Sequence, residues 1–417
     1  MKSISFIVKM VMVIFLSYLV IPASAQVDSL GYITVSGVVK NSKSKKDLSS
    51  VNIFLPGSHV GTVTNDDGYF NLKLKKMVPE IIVSHLGYKS QRIALNKNNM
   101  KDLKIMLVPH TNLLNEVVVL GLDPNELVEE ALGNVSENYS KKSNNLTGFY
   151  RETAQKGKKF INVSEAIIYI YKTPYKQSVE NDRVQILKGR RLLSQKSSDT
   201  LGVKLMGGPT LCIFADIAKN RDSFLSKDQL KNYNFRMEEA TVIDGHPQYV
   251  ISFSPKVELP DEPLFFGKLY IDKDNLAFSR IEFSMDMSNK FKATRAMLYR
   301  KPIGLRFNPQ ELSYIVNYKI EDGVSYLNYL RNEIDFKCDW KKRLFSKGFT
   351  VISEMVVTDQ NDRDVSTIPR KESFDKTDAF YDQVASFNND NFWEDYNIIE
   401  PTESLEHAVN KLKKQQK

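Results

Sequence analysis

Short runs of alternating apolar and polar residues, each ended by a turn sequence, restrict most strongly how this chain can fold. The run 33–39 is rich in β-branched residues, and the run 69–74 directly follows an Asn-Asp-Asp-Gly corner at 65–68. An Asp-Gly pair before an alternating run predicts a β-hairpin, because glycine adopts the positive φ of a tight turn. Similar runs recur through residues 146–365, with another Asp-Gly corner at 322–323. The sequence therefore predicts a mainly β protein built from successive hairpins.

The first residues of the chain have the features of a cleavable secretory signal peptide. Lysines precede an uncharged apolar run at residues 10–21. Ala23 and Ala25 supply the small residues that a signal peptidase accepts just before its cleavage point. We therefore predict that residues 1–25 are a signal peptide and that the protein is exported, with an uncleaved membrane anchor as the alternative. No later apolar stretch approaches the roughly 20 residues of a spanning helix, so no transmembrane span is expected after cleavage.

Length and composition indicate a globular protein of more than one domain. The 417 residues exceed what one hydrophobic core ordinarily serves, so two or three domains are expected. Apolar residues make up 42% of the chain and charged residues 26%, which is typical of a folded protein. The net charge of +8 is modest for this length and accompanies no nucleic-acid-binding motif, so we predict no nucleic-acid partner.

Residues 31–119 carry the pattern of a small β-sandwich of six or seven short strands. Four motifs in order resemble the carboxypeptidase regulatory-like domain: Val-Ser-Gly-Val-Val at 35–39, a strand with its Pro-Gly corner at 51–57, a strand and turn at 61–70, and Val-Ser-His-Leu-Gly-Tyr at 83–88. This resemblance implies a seven-stranded transthyretin-like sandwich without catalytic residues. It also implies a bacterium of Bacteroidetes type, in which such domains precede outer-membrane receptors and occur in surface proteins.

The rest of the chain divides into three predicted parts. Residues 123–140 predict a linking helix, because Asp123 can cap free amides, a proline follows it, and apolar residues then recur at helical spacing. Residues 146–365 predict an antiparallel β-rich domain whose strands include 293–299. Residues 366–417 form a C-terminal segment that ends in a helix.

An amphipathic helix followed by successive hairpins resembles the open half-barrel of lipoprotein carriers of the LolA/LolB type. This resemblance implies a concave apolar face that holds an acyl chain or a partner peptide. The segments 148–152 and 391–405 are similar to a group of uncharacterised exported Bacteroidetes proteins that begin with the same regulatory-like domain. The expected fold is therefore a transthyretin-like sandwich joined to a larger antiparallel half-barrel-like domain with flanking helices.

The sequence offers no catalytic motif, so we predict that the protein is not an enzyme and has no cofactor and no metal site. The serine-hydrolase motif Gly-x-Ser-x-Gly and the zinc motif His-Glu-x-x-His do not occur. The five histidines fall in predicted turns, a linker and the terminal helix. The pair Asp66–Asp67 favours a simple turn over a calcium site, because the spaced carboxylates of a calcium loop are missing. Adjacent carboxylates such as Asp261–Glu262 favour turns but leave paired-carboxylate catalysis open.

Tyrosines on two neighbouring alternating runs are the candidate binding groove. Alternation is expected to place Tyr314, Tyr318, Tyr326 and Tyr329 on one face of the sheet. A tyrosine has an apolar body and a polar tip, which suits a lipid or carbohydrate groove. Ordinary filling of the sheet is the alternative.

Two further features leave alternatives open. The basic run at 188–191 is interpreted as a solvated loop, with contact to a lipid phosphate or an acidic glycan as the alternative. Cys212 and Cys338 are the two cysteines of the chain. In an oxidising compartment they form either a disulfide or two separate buried thiols.

The leading functional prediction is a non-enzymatic binding or scaffold protein of the bacterial envelope, periplasmic or associated with the outer membrane. Its predicted partner is an envelope protein or outer-membrane component, with a lipid or glycan as a further candidate. A carrier that moves a lipid or lipoprotein in the half-barrel groove is the main alternative, and an enzyme with an unrecognised site is the third. A deep apolar cavity open to solvent would favour the carrier.

Overall fold

The computed structural model describes residues 31–110, 121–196, 199, 201–220, 223–256, 262–340, 346–387, 393 and 396–416. The predicted signal peptide, with Ala23 and Ala25, lies outside the described residues. The first described region contains seven strands: β1 (Ile33–Asn41), β2 (Asn52–Phe54), β3 (Gly61–Val63), β4 (Tyr69–Leu74), β5 (Glu80–Ser84), β6 (Gln91–Ala94) and β7 (Leu103–Leu107).

These seven strands form two sheets, ordered β4-β1-β7 and β3-β2-β5-β6, with the first hydrophobic core between them. Strand β1 runs parallel to β7, and Gly37 is paired with Leu103. A Cβ atom at Gly37 would lie 2.3 Å from the carbonyl oxygen of Leu103, so this close crossing requires glycine. The β-sandwich predicted from the residue pattern is confirmed, with the seven strands that the family resemblance implies.

Eleven of the thirteen remaining strands build one large antiparallel sheet. Its order is β10-β9-β8-β20-β19-β18-β16-β15-β14-β12, and β13 pairs with β14; β11 and β17 pair separately. The bounds are β8 (Asn144–Lys156), β9 (Lys159–Lys172), β10 (Arg183–Leu193), β11 (Lys204–Leu205), β12 (Tyr233–Met237), β13 (Thr241–Ile243), β14 (His246–Pro255), β15 (Phe265–Asp272), β16 (Phe278–Met285), β17 (Leu298–Arg300), β18 (Leu305–Glu321), β19 (Val324–Trp340) and β20 (Lys347–Asn361).

Local turn chemistry places the hairpins of this sheet. Asp322 and Gly323 have φ angles of 49° and 75°, and they connect β18 to β19. Asp244 and Gly245 connect β13 to β14 and have φ angles of 53° and 86°. Two consecutive positive φ angles are typical of the hairpin turn that an Asp-Gly pair favours. The mainly β fold, a sandwich followed by a larger antiparallel sheet, is therefore confirmed.

Short helices connect and cover the strands. Their bounds are α1 (Pro124–Gly133), α2 (Val135–Asn138), α3 (Leu211–Phe214), α4 (Lys227–Leu230), α5 (Lys290–Met297), α6 (Phe380–Gln383) and α7 (Glu403–Gln416). The side chain of Asp123 accepts a hydrogen bond from the amide of Asn125 and caps α1, as predicted. None of the described helices is both long enough and apolar enough to cross a membrane.

The prediction of a strand over 293–299 is wrong. The side chain of Asn289 accepts a hydrogen bond from the amide of Lys292 and begins helix α5. Ala293 and Met297, four residues apart, are both buried on one side of that helix. The strand β17 begins only after it. The alternation was ambiguous here because positions spaced by four fit both a strand face and a helix face.

The two faces of the large sheet are covered by different elements. One face, called the helical face, packs against α1, α2 and the segments 211–225 and 374–384. The opposite face, called the sandwich face, packs against Val63 of the sandwich, Ile398 and Ile399. Helix α7 covers the same side near β9 and β10. Both faces of the sheet are therefore largely withdrawn from water.

Candidate ligand-binding cavity

A cavity of about 540 Å³ lies on the helical face, between strands β12, β15, β16 and β18 and the segment 211–229. It is open to solvent, and its size falls within the roughly 300–1,000 Å³ of ordinary small-molecule sites. Its lining residues are Leu211, Phe214, Ala215, Ile217, Asn220, Ser223, Phe224, Ser226, Asp228, Gln229, Tyr233, Glu262, Pro263, Phe265, Phe283 and Tyr314.

Aromatic rings form the inner wall of the cavity. Phe224 contacts the rings of Phe265 and Phe283 with centroid distances of 5.0 Å to each. Phe283 stacks on Tyr314 at 4.6 Å. Rings at these distances are in favourable contact and restrict one another, so the wall is a preformed apolar surface.

The rim of the cavity is polar and carries negative charge. Gln229 donates a hydrogen bond to Glu262 across the rim at 2.7 Å. Asp228 is exposed beside it, and Asn220 and Ser223 add neutral polar groups. Among the described residues that line the cavity, none is basic. The arrangement suits an amphiphilic molecule whose apolar part enters and whose polar part is neutral or cationic, because a rim carboxylate repels an anionic group.

A buried ionic cluster fastens the segment beneath the cavity to the sheet. Lys172 contacts Asp216 at 2.5 Å, and Lys219 contacts Asp182 at 2.6 Å. Thr173 donates through its amide and its hydroxyl to Asp182. Two lysines therefore face two aspartates with no net charge, which is the arrangement that makes buried charge tolerable.

Tyrosines complete the hydrogen bonding of this cluster. The hydroxyls of Tyr175 and Tyr318 each donate to Asp216 at 2.9 Å. Burial lowers the pKa of Lys219 to about 8, together with the neighbouring charge of Lys172. Burial alone would lower the pKa of Lys172 as well, but Asp216 and Asp182 raise it. Both lysines are buried, so the cluster holds the segment in place and gives a substrate no access.

The structure separates the four tyrosines of the sequence-predicted groove. Tyr314 lines the cavity, and Tyr318 lies on the same face but is buried in the ionic cluster. Tyr329 lies on the sandwich face, where it donates to Glu354, and Tyr326 contacts the ring of His59 from the sandwich. Register shifts between β18 and β19 and the alternation of side chains put the two pairs on opposite faces. Of the four, only Tyr314 reaches the cavity.

Apart from Tyr314, the residues that line the cavity escaped the sequence analysis. They come from segments that are distant in the sequence and are brought together by the strand order: 211–229, Tyr233, 262–265 and Phe283. The apolar run around Cys212, which follows a Gly-Gly-Pro corner at 207–209, was a weak signal for this region. Cys212 is buried and Cys338 is partly buried, and both are free thiols.

One cluster of described residues has the donor types of a metal site. The Nδ1 atom of His246 lies 3.6 Å from Asp272 and 3.7 Å from Asp274. Asp272 already accepts hydrogen bonds from the amides of Asp274 and Asn275. The carboxylate of Asp272 therefore stabilises the β15–β16 turn.

The sandwich face carries a second charged cluster. Glu165 is buried and accepts hydrogen bonds from Arg151 and Arg190, which lower its pKa against the effect of burial. The guanidinium of Arg190 lies 3.8 Å from the ring centroid of Trp393. The interpretation of residues 188–191 as a solvated loop is therefore wrong. They belong to β10, and pairing with β9 turns Arg190 towards Glu165.

The turn at Asp66 and Asp67 joins the sandwich to the rest of the protein. Asp66 lies 3.7 Å from Arg331 of β19. Asp67 accepts a hydrogen bond from the amide of Glu403 at the start of α7. These carboxylates are used in contacts between the two regions, which explains why an exposed turn carries two of them.

The first domain of the chain is similar to a known domain family. Residues 35–119 match the CarboxypepD_reg-like domain family. An 89-residue region is 34% identical to the TonB-dependent receptor SusC of Bacteroides thetaiotaomicron. The matched region makes up 21% of this chain and 8% of the receptor. The match therefore concerns one domain and a small part of that receptor's length.

Solved structures similar to this chain share little sequence with it. A putative outer membrane lipoprotein-sorting protein domain from Vibrio parahaemolyticus is 11% identical, with a TM-score of 0.27, covering 63% of this chain and 97% of that one. A LolA superfamily protein from Nitrosomonas europaea is 13% identical, with a TM-score of 0.24, covering 60% and 97%. Both the sequence identity and the TM-score are low in these two comparisons. Residues 35–119 are a carboxypeptidase regulatory-like domain, joined in this chain to a separate antiparallel sheet of eleven strands.

Proposed function

We propose that this protein is a non-enzymatic binding protein of the bacterial envelope that holds the apolar part of an amphiphilic ligand, such as a lipid acyl chain, in the cavity on its helical face. The observation that carries the proposal is the aromatic wall formed by Phe224, Phe265, Phe283 and Tyr314 inside an opening of about 540 Å³. Of the predicted functions, this favours the carrier over a scaffold without a ligand.

The aromatic side chains that line the cavity can contact a chain-like apolar group. Burying each methylene contributes about 0.8 kcal/mol, so a chain that fills the cavity gains enough to offset its loss of freedom. The headgroup of a bound ligand would lie at the polar rim around Gln229 and Glu262, in contact with water. Nothing in this arrangement requires chemistry on the ligand, and the buried lysines Lys172 and Lys219 are already paired with aspartates.

The proposed location is the cell envelope. It is supported by the sequence-predicted signal peptide and by the domain shared with a TonB-dependent receptor. The sandwich is fastened to the sheet by contacts such as Asn328 of β19, which donates to the side chain of Asn52, and Lys319 of β18, which donates to the carbonyl of Ser58. An envelope protein or outer-membrane component bound by the sandwich would therefore be held at a fixed distance from the cavity.

Filling the cavity from its rim tests the proposal. In the variant Ser223→Trp an indole replaces a small rim side chain. The matched control is Ser254→Trp, an exposed position of β14 that lies outside the cavity. Protein isolated from envelope fractions is analysed by native mass spectrometry for a retained lipid. The purified proteins are then titrated with the methyl ester of cis-parinaric acid, a fluorescent amphiphile whose polar end is uncharged.

We expect the wild type and Ser254→Trp to retain lipid and to bind the probe with equal affinity. Ser223→Trp should lose retained lipid and bind the probe at least about tenfold more weakly, which corresponds to about 1.4 kcal/mol. Equal binding by all three proteins, or no binding by the wild type, would refute the cavity as the ligand site.

A further inference from the structure

A tip of the protein, formed by helix α5, strand β17, the turn 301–304 and the adjoining strand β11, exposes large apolar side chains. Phe291 is 70% exposed, Tyr299 50%, Ile303 100% and Met206 42%. Single exposed apolar residues are ordinary, but four such residues on a few connected elements call for an explanation. The elements are joined, because the amide of Met206 donates to the carbonyl of Met297 at the end of α5.

The same tip is strongly basic. Residues 287–310 contain six lysines and arginines and no aspartate or glutamate. The whole chain, by contrast, has 58 basic and 50 acidic residues. Lys290 and Lys301 donate to the backbone carbonyls of Pro309 and Leu305, so their charges are not neutralised by these partners.

Apolar and basic groups meet in an open cleft of about 520 Å³ between residues 201–204 and 300–303. Arg300 and Lys301 lie on one side of it, and Lys204 lies on the other, where it is paired with Asp382 at 2.9 Å. Ile303 stands at its edge with its whole side chain in water. An isoleucine in that position is less favourable than a buried one, and a contact surface that covered it would recover the difference.

We propose that this tip docks onto an anionic phospholipid membrane surface. Basic side chains near such a surface are attracted to its anionic headgroups, and an aromatic or aliphatic side chain at headgroup depth adds a second signal. Stable attachment to a membrane generally needs two signals, and the tip supplies both. Exposed Phe291 and Ile303 distinguish this surface from a purely electrostatic one.

This inference goes beyond the proposed function, because docking needs the tip and not the ligand. The two sites are nevertheless connected through shared packing. Phe265 and Tyr314, which line the cavity, also pack against the apolar cluster beneath the tip that includes Ala293 and Met297. A docked protein would therefore hold its cavity close to the membrane that supplies lipid.

Vesicle flotation tests the proposal with the mature full-length protein. The vesicles contain either phosphatidylcholine alone or phosphatidylcholine with phosphatidylglycerol. The charge variant is Arg300→Glu with Lys301→Glu, and its control is Lys75→Glu with Lys76→Glu, an exposed pair in the sandwich with the same change in net charge. The apolar variant is Phe291→Ser with Ile303→Ser, and its control is Leu122→Ser, which is also an exposed apolar position.

We expect the wild type and both controls to float with the phosphatidylglycerol vesicles and to remain unbound with phosphatidylcholine alone. The charge variant and the apolar variant should each bind at least about tenfold more weakly while keeping the wild-type thermal unfolding midpoint. The cavity variant Ser223→Trp should still float with the phosphatidylglycerol vesicles. A loss of ligand binding in the cavity can therefore be told apart from a loss of membrane docking. Equal flotation of the tip variants and their controls would overturn the inference. The inference would also be overturned if the wild type floated equally with both kinds of vesicle or with neither.

Discussion

The Nζ atom of Lys172 lies 2.5 Å from Oδ2 of Asp216, and neither side chain is more than 2% exposed. This contact joins the end of β9 to the segment beneath the cavity. Replacing Asp216 by Asn leaves Lys172 charged and buried without its closest partner. Breaking a buried ion pair from one side costs about 3–5 kcal/mol, so Asp216→Asn should lower the free energy of unfolding by that amount, as measured by urea denaturation.

Tyr318→Phe provides the graded comparison, because it removes one neutral donor to Asp216 and leaves both charges in place. Its cost should be about 1–3 kcal/mol, since Asp216 keeps its bonds to Lys172 and Tyr175. If Asp216→Asn proved no more destabilising than Tyr318→Phe, the ion pair would not be what fastens this segment.

Glu152 is a carboxyl group whose pKa burial raises to about 7, from an ordinary value of 4.5. It faces a small cavity beside Asn332 and Ser353. Because the folded protein holds this proton more tightly than the unfolded chain, its stabilising contribution is fully present below pH 4.5 and is lost as the pH rises to about 7. In Glu152→Gln this loss is absent, so at pH 8 the variant should be more stable than the wild type, by an amount on the order of 3 kcal/mol.

The measurement is the difference in free energy of unfolding between variant and wild type at several pH values, which cancels the other titrating groups. Glu239→Gln removes one carboxylate at an exposed position and is the matched control for the change in net charge. A constant difference for Glu152→Gln would mean that Glu152 is hydrated in the folded protein.

Much of the sandwich could be predicted because its information is local. The corner at 65–68 specifies a turn by itself: the side chain of Asn65 accepts hydrogen bonds from the amides of Asp67 and Tyr69. Gly68 has the positive φ of 72° that the turn requires. The start of α1 was equally local, since Asp123 caps the helix within its own first turn.

The cavity and the charged clusters could not be predicted because they depend on which strands become neighbours. Glu165 meets Arg151 and Arg190 only because β9 lies between β8 and β10. The two tyrosine pairs separate for the same reason: register shifts between β18 and β19 are not visible in an alternating sequence. The error at 293–299 was of a different kind, since Ala293 and Met297 fit a strand and a helix equally well.

Gly189 of β10 allows the segment around Val384 to pack against the sheet. A Cβ atom at this position would lie 2.2 Å from Cγ2 of Val384 and 2.8 Å from the carbonyl oxygen of Glu165. Gly189→Ala should therefore destabilise the protein by about 1–3 kcal/mol through overpacking, measured by thermal and urea unfolding.

Gly348→Ala is the control for this substitution, because a Cβ atom there meets nothing within 4 Å. It should be neutral or slightly stabilising. The double variant Gly189→Ala with Val384→Ala should lose less stability than the sum of the single variants, because the smaller side chain relieves the closest contact. Simple additivity would show that Val384 does not restrict this position.

Asp67 of the sandwich caps helix α7, the last helix of the chain: its Oδ2 accepts a hydrogen bond of 2.7 Å from the amide of Glu403. The turn that contains Asp67 is held by Asn65, so shortening Asp67 should leave the turn intact. The amide of Leu405 is satisfied separately by the hydroxyl of Thr402.

Asp67→Ala should therefore cost about 1 kcal/mol and act locally, raising hydrogen exchange in the first turn of α7 while the strands of the sandwich exchange as before. Asp67→Asn retains an oxygen acceptor and should restore most of the protection. If exchange in α7 were unchanged in Asp67→Ala, the sandwich would not anchor this helix through its cap, and packing of Leu405 and Val409 against Leu192 and Val163 would have to hold it alone.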